Sequence, residues 1–237
     1  MGIEIDKEII KSNEDIFTML DTLLERRGGE WWDKFYSDRS KPIPFFINAP
    51  DENLVSFLEK GLFKRGRAFD IGCGNGRNSI FLAKQGFEVD GIDFSTTSIE
   101  WANQNASEEH VDVNFINKSI FDFQVHHSSY DFVYDSGCLH HIKPHRRNQY
   151  IKKIIDILKP GAYFGLTAFN LKGGANISDY DVYRDFSMHG GIGFSELKLK
   201  SILSPHFEIV EFREMKEISD NSLFGKAFCW AVLMKKR

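Results

Sequence analysis

The chain's densest chemistry is a glycine cluster, Asp70-Ile71-Gly72-Cys73-Gly74-Asn75-Gly76-Arg77-Asn78-Ser79, set after the apolar run 68–71 and opening a helical pattern. A loop of this kind between strand and helix gathers backbone N–H groups and the helix N-terminus into an anion site, and its glycines let a ligand approach closely. A dinucleotide pyrophosphate asks for Gly-x-Gly-x-x-Gly, with its last glycine at position 77. Position 77 is Arg and the glycine stands at 76, which weakens the pyrophosphate reading. Nineteen residues after Gly74, Asp93 ends the run Val89-Asp90-Gly91-Ile92-Asp93. A strand-end carboxylate there can accept hydrogen bonds from both hydroxyls of a ribose. A tight turn with an unrelated aspartate is the plain alternative; the joint pattern of strand, Gly-x-Gly-x-Gly, helix and strand-end Asp argues against it.

A second constellation is Tyr134-Asp135-Ser136-Gly137-Cys138-Leu139-His140-His141-Ile142. If 131–135 is a strand, these residues stand at its C-terminal end, the edge where open α/β sheets bind ligands. His140 and His141 are candidates for a general base or a substrate-orienting pair. With His145 they could be imagined around a metal, but the triplet lacks Asp or Glu partners, and no metal is expected. Cys138 reads either as a nucleophile or as a small buried residue. The cluster Trp31, Trp32, Phe35 and Tyr36, with Phe45-Phe46 behind it, suits either a lid over a ligand or the packing of an accessory helix. Tyr183 and Arg184, in a glycine-rich stretch, are further candidates for substrate contact, against the alternative of a solvent-facing loop.

These residues need a scaffold, and the pattern of apolar residues supplies one. A helical spacing runs over 7–27 and stops at Gly28-Gly29; prolines interrupt the following segment, and a short helix is expected over 53–62. Strands are expected over 68–71, 87–93, 111–116, 131–135 and 162–169. Helices over 77–85, 95–105 and 144–158 alternate with them, which means a parallel, doubly wound sheet. After an irregular stretch over 170–193 and a helix over 194–203, strands over 207–213 and 227–234 are joined without a helix and are therefore antiparallel.

Composition narrows the function further. The 237 residues suit one α/β domain, divided here into an N-terminal helical segment, 1–62, and a binding domain, 63–237. A net charge of −4 offers no electrostatic footprint for nucleic acid. No stretch reaches the roughly 18 apolar residues of a membrane span. Cys73, Cys138 and Cys229 lie 65 and 91 residues apart, neither a disulfide framework nor a metal pattern, which points to a reducing, cytoplasmic location.

Taken together, Asp70-Ile71-Gly72-Cys73-Gly74-Asn75-Gly76 resembles the first motif of class I S-adenosylmethionine-dependent methyltransferases, and Gly91-Ile92-Asp93-Phe94-Ser95 their acidic post-motif. Leu158-Lys159-Pro160-Gly161-Ala162 resembles the turn entering their fifth strand. The resemblance covers about residues 65–170, and the terminal hairpin agrees with the family's last strand. Gly-Asn-Gly-Arg-Asn-Ser with the downstream His-His is most similar to small-molecule branches, such as the tellurite-resistance and thiopurine methyltransferase relatives. It implies a Rossmann-like, doubly wound seven-stranded sheet, mostly parallel with an antiparallel C-terminal hairpin, plus an N-terminal helical lid.

The resemblance further implies that Gly72, Gly74 and Gly76 touch the methionine half of S-adenosylmethionine through backbone, that Cys73 and Asn75 between them also bind the cofactor, and that Asp70 orients the loop or holds the amino group. Asp93 would bind ribose and Phe94 would lie against adenine. Ser119 stands where the family usually has an aspartate for the adenine amino group; Ile120 would pack on the ring. Asp135 and Ser136 would border cofactor and substrate. The expected acceptor is a small molecule; a macromolecular acceptor and a non-catalytic cofactor-binding protein are the alternatives. No Asn-Pro-Pro-Tyr or Pro-Cys motif of nucleic-acid methyltransferases occurs in the fourth-strand region.

Overall fold

The computed structural model describes residues 9–24, 29–124 and 127–237. Seven strands form one sheet: β1 (Arg67–Ile71), β2 (Glu88–Asp93), β3 (Asn114–Asn117), β4 (Tyr130–Ser136), β5 (Leu158–Phe169), β6 (Phe207–Glu214) and β7 (Cys229–Lys236), in the order β3-β2-β1-β4-β5-β7-β6. The first five run parallel, and β7 inserts antiparallel between β5 and β6. The topology is the one expected from the sequence. Register places Ile71 beside both Ile92 and Asp135, so β1, β2 and β4 end together at one edge.

Because strand side chains alternate between faces, each strand feeds two layers. Phe69, Ile71, Ile92 and Val133 point to one layer, which is closed by Tyr150, Ile151 and Ile154 of α6 (Arg147–Ile157) and by Leu199 and Leu203 of α8 (Glu196–Leu203). Ala68, Val89, Phe132 and Tyr134 point to the other, against Leu82 of α4 (Arg77–Lys84) and Leu54 and Phe57 of α3 (Glu52–Glu59). Leu54 and Phe57 are fully buried, so α3 is a layer of the core although it lies within the segment 1–62.

The covering part of that segment is earlier. Of the helix expected over 7–27, α1 (Asn13–Leu23) forms; residues 7, 8 and 25–27 lie outside the described residues. The start is set by Ser12 and Asp15, whose side chains each accept a hydrogen bond from the other's backbone N–H. Asp21 ties α1 to the body, receiving Lys143 Nζ at 3.0 Å and Arg146 Nη2 at 2.7 Å. Next, α2 (Gly29–Ser37) docks on α5 (Thr96–Glu108) through Asp33, which accepts from Ser95 Oγ at 2.6 Å and Thr97 N at 3.1 Å. The stretch 170–193, expected to be irregular, contains α7 (Asp179–Arg184), begun by the same device with Ser178 and Asp181. Among the described residues no helix is long and apolar enough to cross a membrane.

Candidate active site

A cleft of about 760 Å³ opens at the C-terminal edge of β1, β2 and β4, beneath α1 and α2. Its floor is the glycine loop. Gly72 and Gly74 adopt φ of +67° and +55°, left-handed values that other residues disfavour. A Cβ on Gly74 would lie 2.8 Å from the Tyr36 hydroxyl, so the loop's close approach to the covering helix also requires glycine. Gly76 has a different task. A Cβ there would strike Ala102 at 2.9 Å and the Phe115 ring at 2.8 Å, and Gly76 does not line the cleft.

The loop's donors are committed. Gly72 N and Cys73 N both donate to Ile92 O, Gly76 N to Cys73 O, and Gly74 N to Asp93 Oδ2. These four N–H groups therefore do not form the anion site expected of the glycine cluster. A pyrophosphate would find them spent.

Asp93 is 8% exposed and lines the cleft; its oxygens accept from Gly74 N at 3.0 Å and Ser95 N at 2.9 Å, with lone pairs to spare for two hydroxyls. Burial raises its pKa, against those backbone hydrogen bonds. Phe94 is exposed at the mouth. Ser119 and Ile120 line the same arm; Ser119 Oγ accepts from Phe121 N at 3.2 Å and so braces its own turn. Asp70 is buried at the cleft wall, accepts from Ser79 Oγ at 2.6 Å, and is pushed by burial up to about 7. Cys73 and Asn75 also line the cleft.

Asp135 and Ser136, expected together at the ligand, point to opposite faces of β4. Asp135 does not line the cleft. It accepts from Tyr150 Oη at 2.6 Å, Cys138 N at 2.6 Å and Leu139 N at 3.0 Å, anchoring the loop that carries the histidines. Ser136 does line the cleft, held by donating to Asp51 Oδ2 at 2.6 Å and accepting from Arg77 Nη2 at 3.1 Å.

Arg77 and Asp51 form a buried ion pair that sequence reasoning missed. In the sequence Arg77 stands out only as an absent glycine, and Asp51 carries no signal. Tyr134 Oη donates to Asp51 Oδ2 at 2.6 Å and exchanges a hydrogen bond with Thr167 Oγ1 at 3.1 Å, so the pair joins the N-terminal segment to β4 and β5. The Arg77 guanidinium lies 4.5 Å from the centre of Phe224, which with Phe169, Phe228 and Phe45 gives this end of the cleft aromatic walls.

Trp31, Trp32 and Tyr36 all line the cleft from α2. Tyr36 is buried and stacks on Phe46 at 5.5 Å, so the aromatic cluster serves as both cover and packing. Trp32 meets His141 edge-on at 5.1 Å. His140 and His141 both line the cleft, 4.4 Å apart between centroids. Cys138 is a half-buried liner whose thiol burial pushes far upward, which favours the small packed residue over the nucleophile. Tyr183 and Arg184 stand elsewhere. The Tyr183 hydroxyl accepts from His145 N at 3.0 Å, Arg184 pairs with Asp181 at 2.7 Å, and neither lines the cleft.

A family model for a methyltransferase domain matches residues 68–161. Over 148 residues the chain is 28% identical to a ubiquinone biosynthesis O-methyltransferase of Shewanella pealeana, covering 62% of this chain and 60% of that protein. It is 27% identical over 128 residues to a 2-heptyl-1-hydroxyquinolin-4(1H)-one methyltransferase of Mycobacteroides abscessus, covering 54% and 56%. The match thus spans less than two thirds of either relative's length. Among solved structures, one determined for the conversion of a disulfide bond into a thioacetal group during echinomycin biosynthesis superposes with a TM-score of 0.69 at 23% identity, over 88% of this chain and 92% of that one. The stretch 68–161, which carries the glycine loop, Asp93 and the histidine-bearing loop, is thus similar to methyltransferase domains, and the chain shares the fold of the superposed structure.

Proposed function

We propose that the chain transfers a methyl group from S-adenosylmethionine to a small, planar aromatic acceptor bound between the glycine loop and the aromatic walls. The observation that carries this reading is one continuous cleft with two unlike ends. Asp93, Phe94 and Ile120 line a wall suited to ribose and adenine, while Phe45, Phe169, Phe224 and Phe228 line a wall suited to a flat apolar ring. The similarity to a ubiquinone biosynthesis O-methyltransferase and to a 2-heptyl-1-hydroxyquinolin-4(1H)-one methyltransferase supports such an acceptor.

The residues fit the cofactor. The glycine cradle admits no Cβ at 72 or 74 without strain, Asp93 offers two acceptor oxygens, and the spent loop donors accord with a ligand lacking a pyrophosphate. S-adenosylmethionine supplies a methyl group already activated by its sulfonium. What remains for the chain is alignment and desolvation. Asp93 holds the nucleoside end and the glycine loop the methionine end, Asp70 steadies the loop, and α2 with Trp31, Trp32 and Tyr36 excludes water from above. His140 and His141 stand beside the acceptor end. The three cysteines are free, which supports the cytoplasmic reading.

The test is release of S-adenosylhomocysteine from S-adenosylmethionine in the presence of a panel of thiols, amines, carboxylates and phenols, with 2-heptyl-1-hydroxyquinolin-4(1H)-one among them. Turnover confined to planar aromatic acceptors is expected. Cofactor binding without turnover of any of them would favour a non-catalytic binding protein instead.

A further inference from the structure

The two adjacent histidines are not equivalent. His140 is 3% exposed and its ring stacks on Phe169 with centroids 3.7 Å apart and planes 14° from parallel. Glycines flank it: a Cβ on Gly191 would come within 3.2 Å of Cδ2, and one on Gly137 within 3.4 Å of Cε1. His140's own carbonyl accepts from Ile192 N at 2.9 Å, so backbone and ring are both fixed. The decisive contact is the backbone N–H of Phe169, which donates to His140 Nδ1 at 3.2 Å. A nitrogen that accepts a hydrogen bond carries no proton, so in the neutral ring the proton sits on Nε2. Burial, followed by the neighbouring His141, depresses the pKa of His140 well below the usual 6.5 and keeps the ring neutral. Among the described residues Nε2 has no hydrogen-bond partner, and the ring lines the cleft.

Resting on the function proposed above, we propose that His140 binds the methyl acceptor as a fixed hydrogen-bond donor, through Nε2–H, and is not a general base. The acceptor then carries a hydrogen-bond-accepting atom, a carbonyl, phenolate or pyridine-type nitrogen, within reach of Nε2. Rings without such a lone pair leave Nε2–H unpaired in the filled cleft and are rejected. Proton removal, where the acceptor needs it, does not fall to His140, because Nδ1 is occupied by Phe169 N–H and Nε2 already carries the ring proton.

Nitrogen-resolved NMR of the histidine rings in the wild-type protein, assigned with His140→Gln, reads the tautomer without turnover. At pH 7 His140 is expected with a pyridine-type Nδ1 and a pyrrole-type Nε2, and Nε2–H shifts when the hydroxyquinolinone or another panel acceptor binds. A protonated Nδ1, an imidazolium at pH 7, or an Nε2–H that acceptors under turnover leave unmoved would overturn the proposal. Kinetics give the second test. His140→Asn retains an acceptor for Phe169 N–H and loses the ε donor, and raises the acceptor KM about 10-fold. His140→Gln puts an amide N–H near the ε position and stays within about 3-fold. Equal KM values for the two variants would contradict the donor role. Calorimetry with S-adenosylhomocysteine separates this from the wider reading: wild-type protein that fails to bind it refutes the cofactor site whatever the tautomer, while variants that bind it like wild type place their defect at the acceptor.

Discussion

Replacing Arg77 with Met tests how the acceptor end is held open. Asp51 is wholly buried, and Arg77 is 6% exposed. Without the guanidinium, the Asp51 carboxylate keeps the hydroxyls of Tyr134 and Ser136 as donors and loses its paired charge. Breaking one side of a buried ion pair costs about 3–5 kcal/mol, since the remaining charge is desolvated without compensation. For a chain of this size each kcal/mol moves the melting temperature by about 2–4 °C, so Arg77→Met should melt about 6–20 °C lower. Loss of the stack on Phe224 adds a smaller amount. The double variant Arg77→Met, Asp51→Asn removes both charges, retains most of the volume, and should recover at least half of the loss. Urea unfolding of wild type, both single variants and the double gives the coupling directly. Single variants that each lose less than about 1 kcal/mol, or losses that simply add in the double, would refute the reasoning.

Further outcomes follow from the same geometry. Gly74→Ala should weaken S-adenosylhomocysteine binding about 10-fold by calorimetry, from left-handed strain and the clash with Tyr36, and Tyr36→Phe in that background should recover part of it; no recovery would show that the clash is immaterial. Asp33→Ala removes the tie of α2 to Ser95 and Thr97 and should weaken S-adenosylhomocysteine about 3- to 10-fold, with quenching access to Trp31 and Trp32 increased. Phe224→Ala should raise the acceptor KM and leave S-adenosylhomocysteine affinity within about 3-fold; an equal loss of both would move Phe224 to the cofactor end. Burial raises Asp70 from 3.8 to about 7, so its proton is bound more tightly in the folded state. The stability from that group is complete below pH 3.8 and is lost as pH rises through about 7. Asp70→Asn should therefore flatten the change in urea midpoint between pH 5.5 and 8, and an unchanged slope would contradict the assignment.

The glycine loop and Asp93 were legible because their demands are local: left-handed φ, a strand end, a helix start. The same logic placed β4's end at the ligand edge but treated Asp135 and Ser136 alike, although alternation sends one toward Tyr150 and the other toward Arg77. Tyr183 and Arg184 read as loop residues in a glycine-rich stretch, yet the spacing of Ser178 and Asp181 signals the helix start that carries them. Asp51 shows the opposite limit. Its partners Arg77, Tyr134 and Ser136 lie far along the chain, and local spacing carries no trace of a network closed by the fold. The turn and helix start of the glycine cluster are readable locally, but its spent donors require seeing Ile92 and Asp93 beside it.

The central claim, that this loop and Asp93 bind S-adenosylmethionine, is tested most directly by calorimetric titration of wild type and Asp93→Asn with S-adenosylhomocysteine. Asparagine keeps an acceptor oxygen for one of the two backbone N–H groups, Gly74 or Ser95, and takes away the charge and the second acceptor oxygen; a cooperative thermal melt of the variant shows that the fold persists. Wild type should bind with one site per chain and the variant about 10- to 100-fold more weakly. Equal affinity for the two proteins would contradict it.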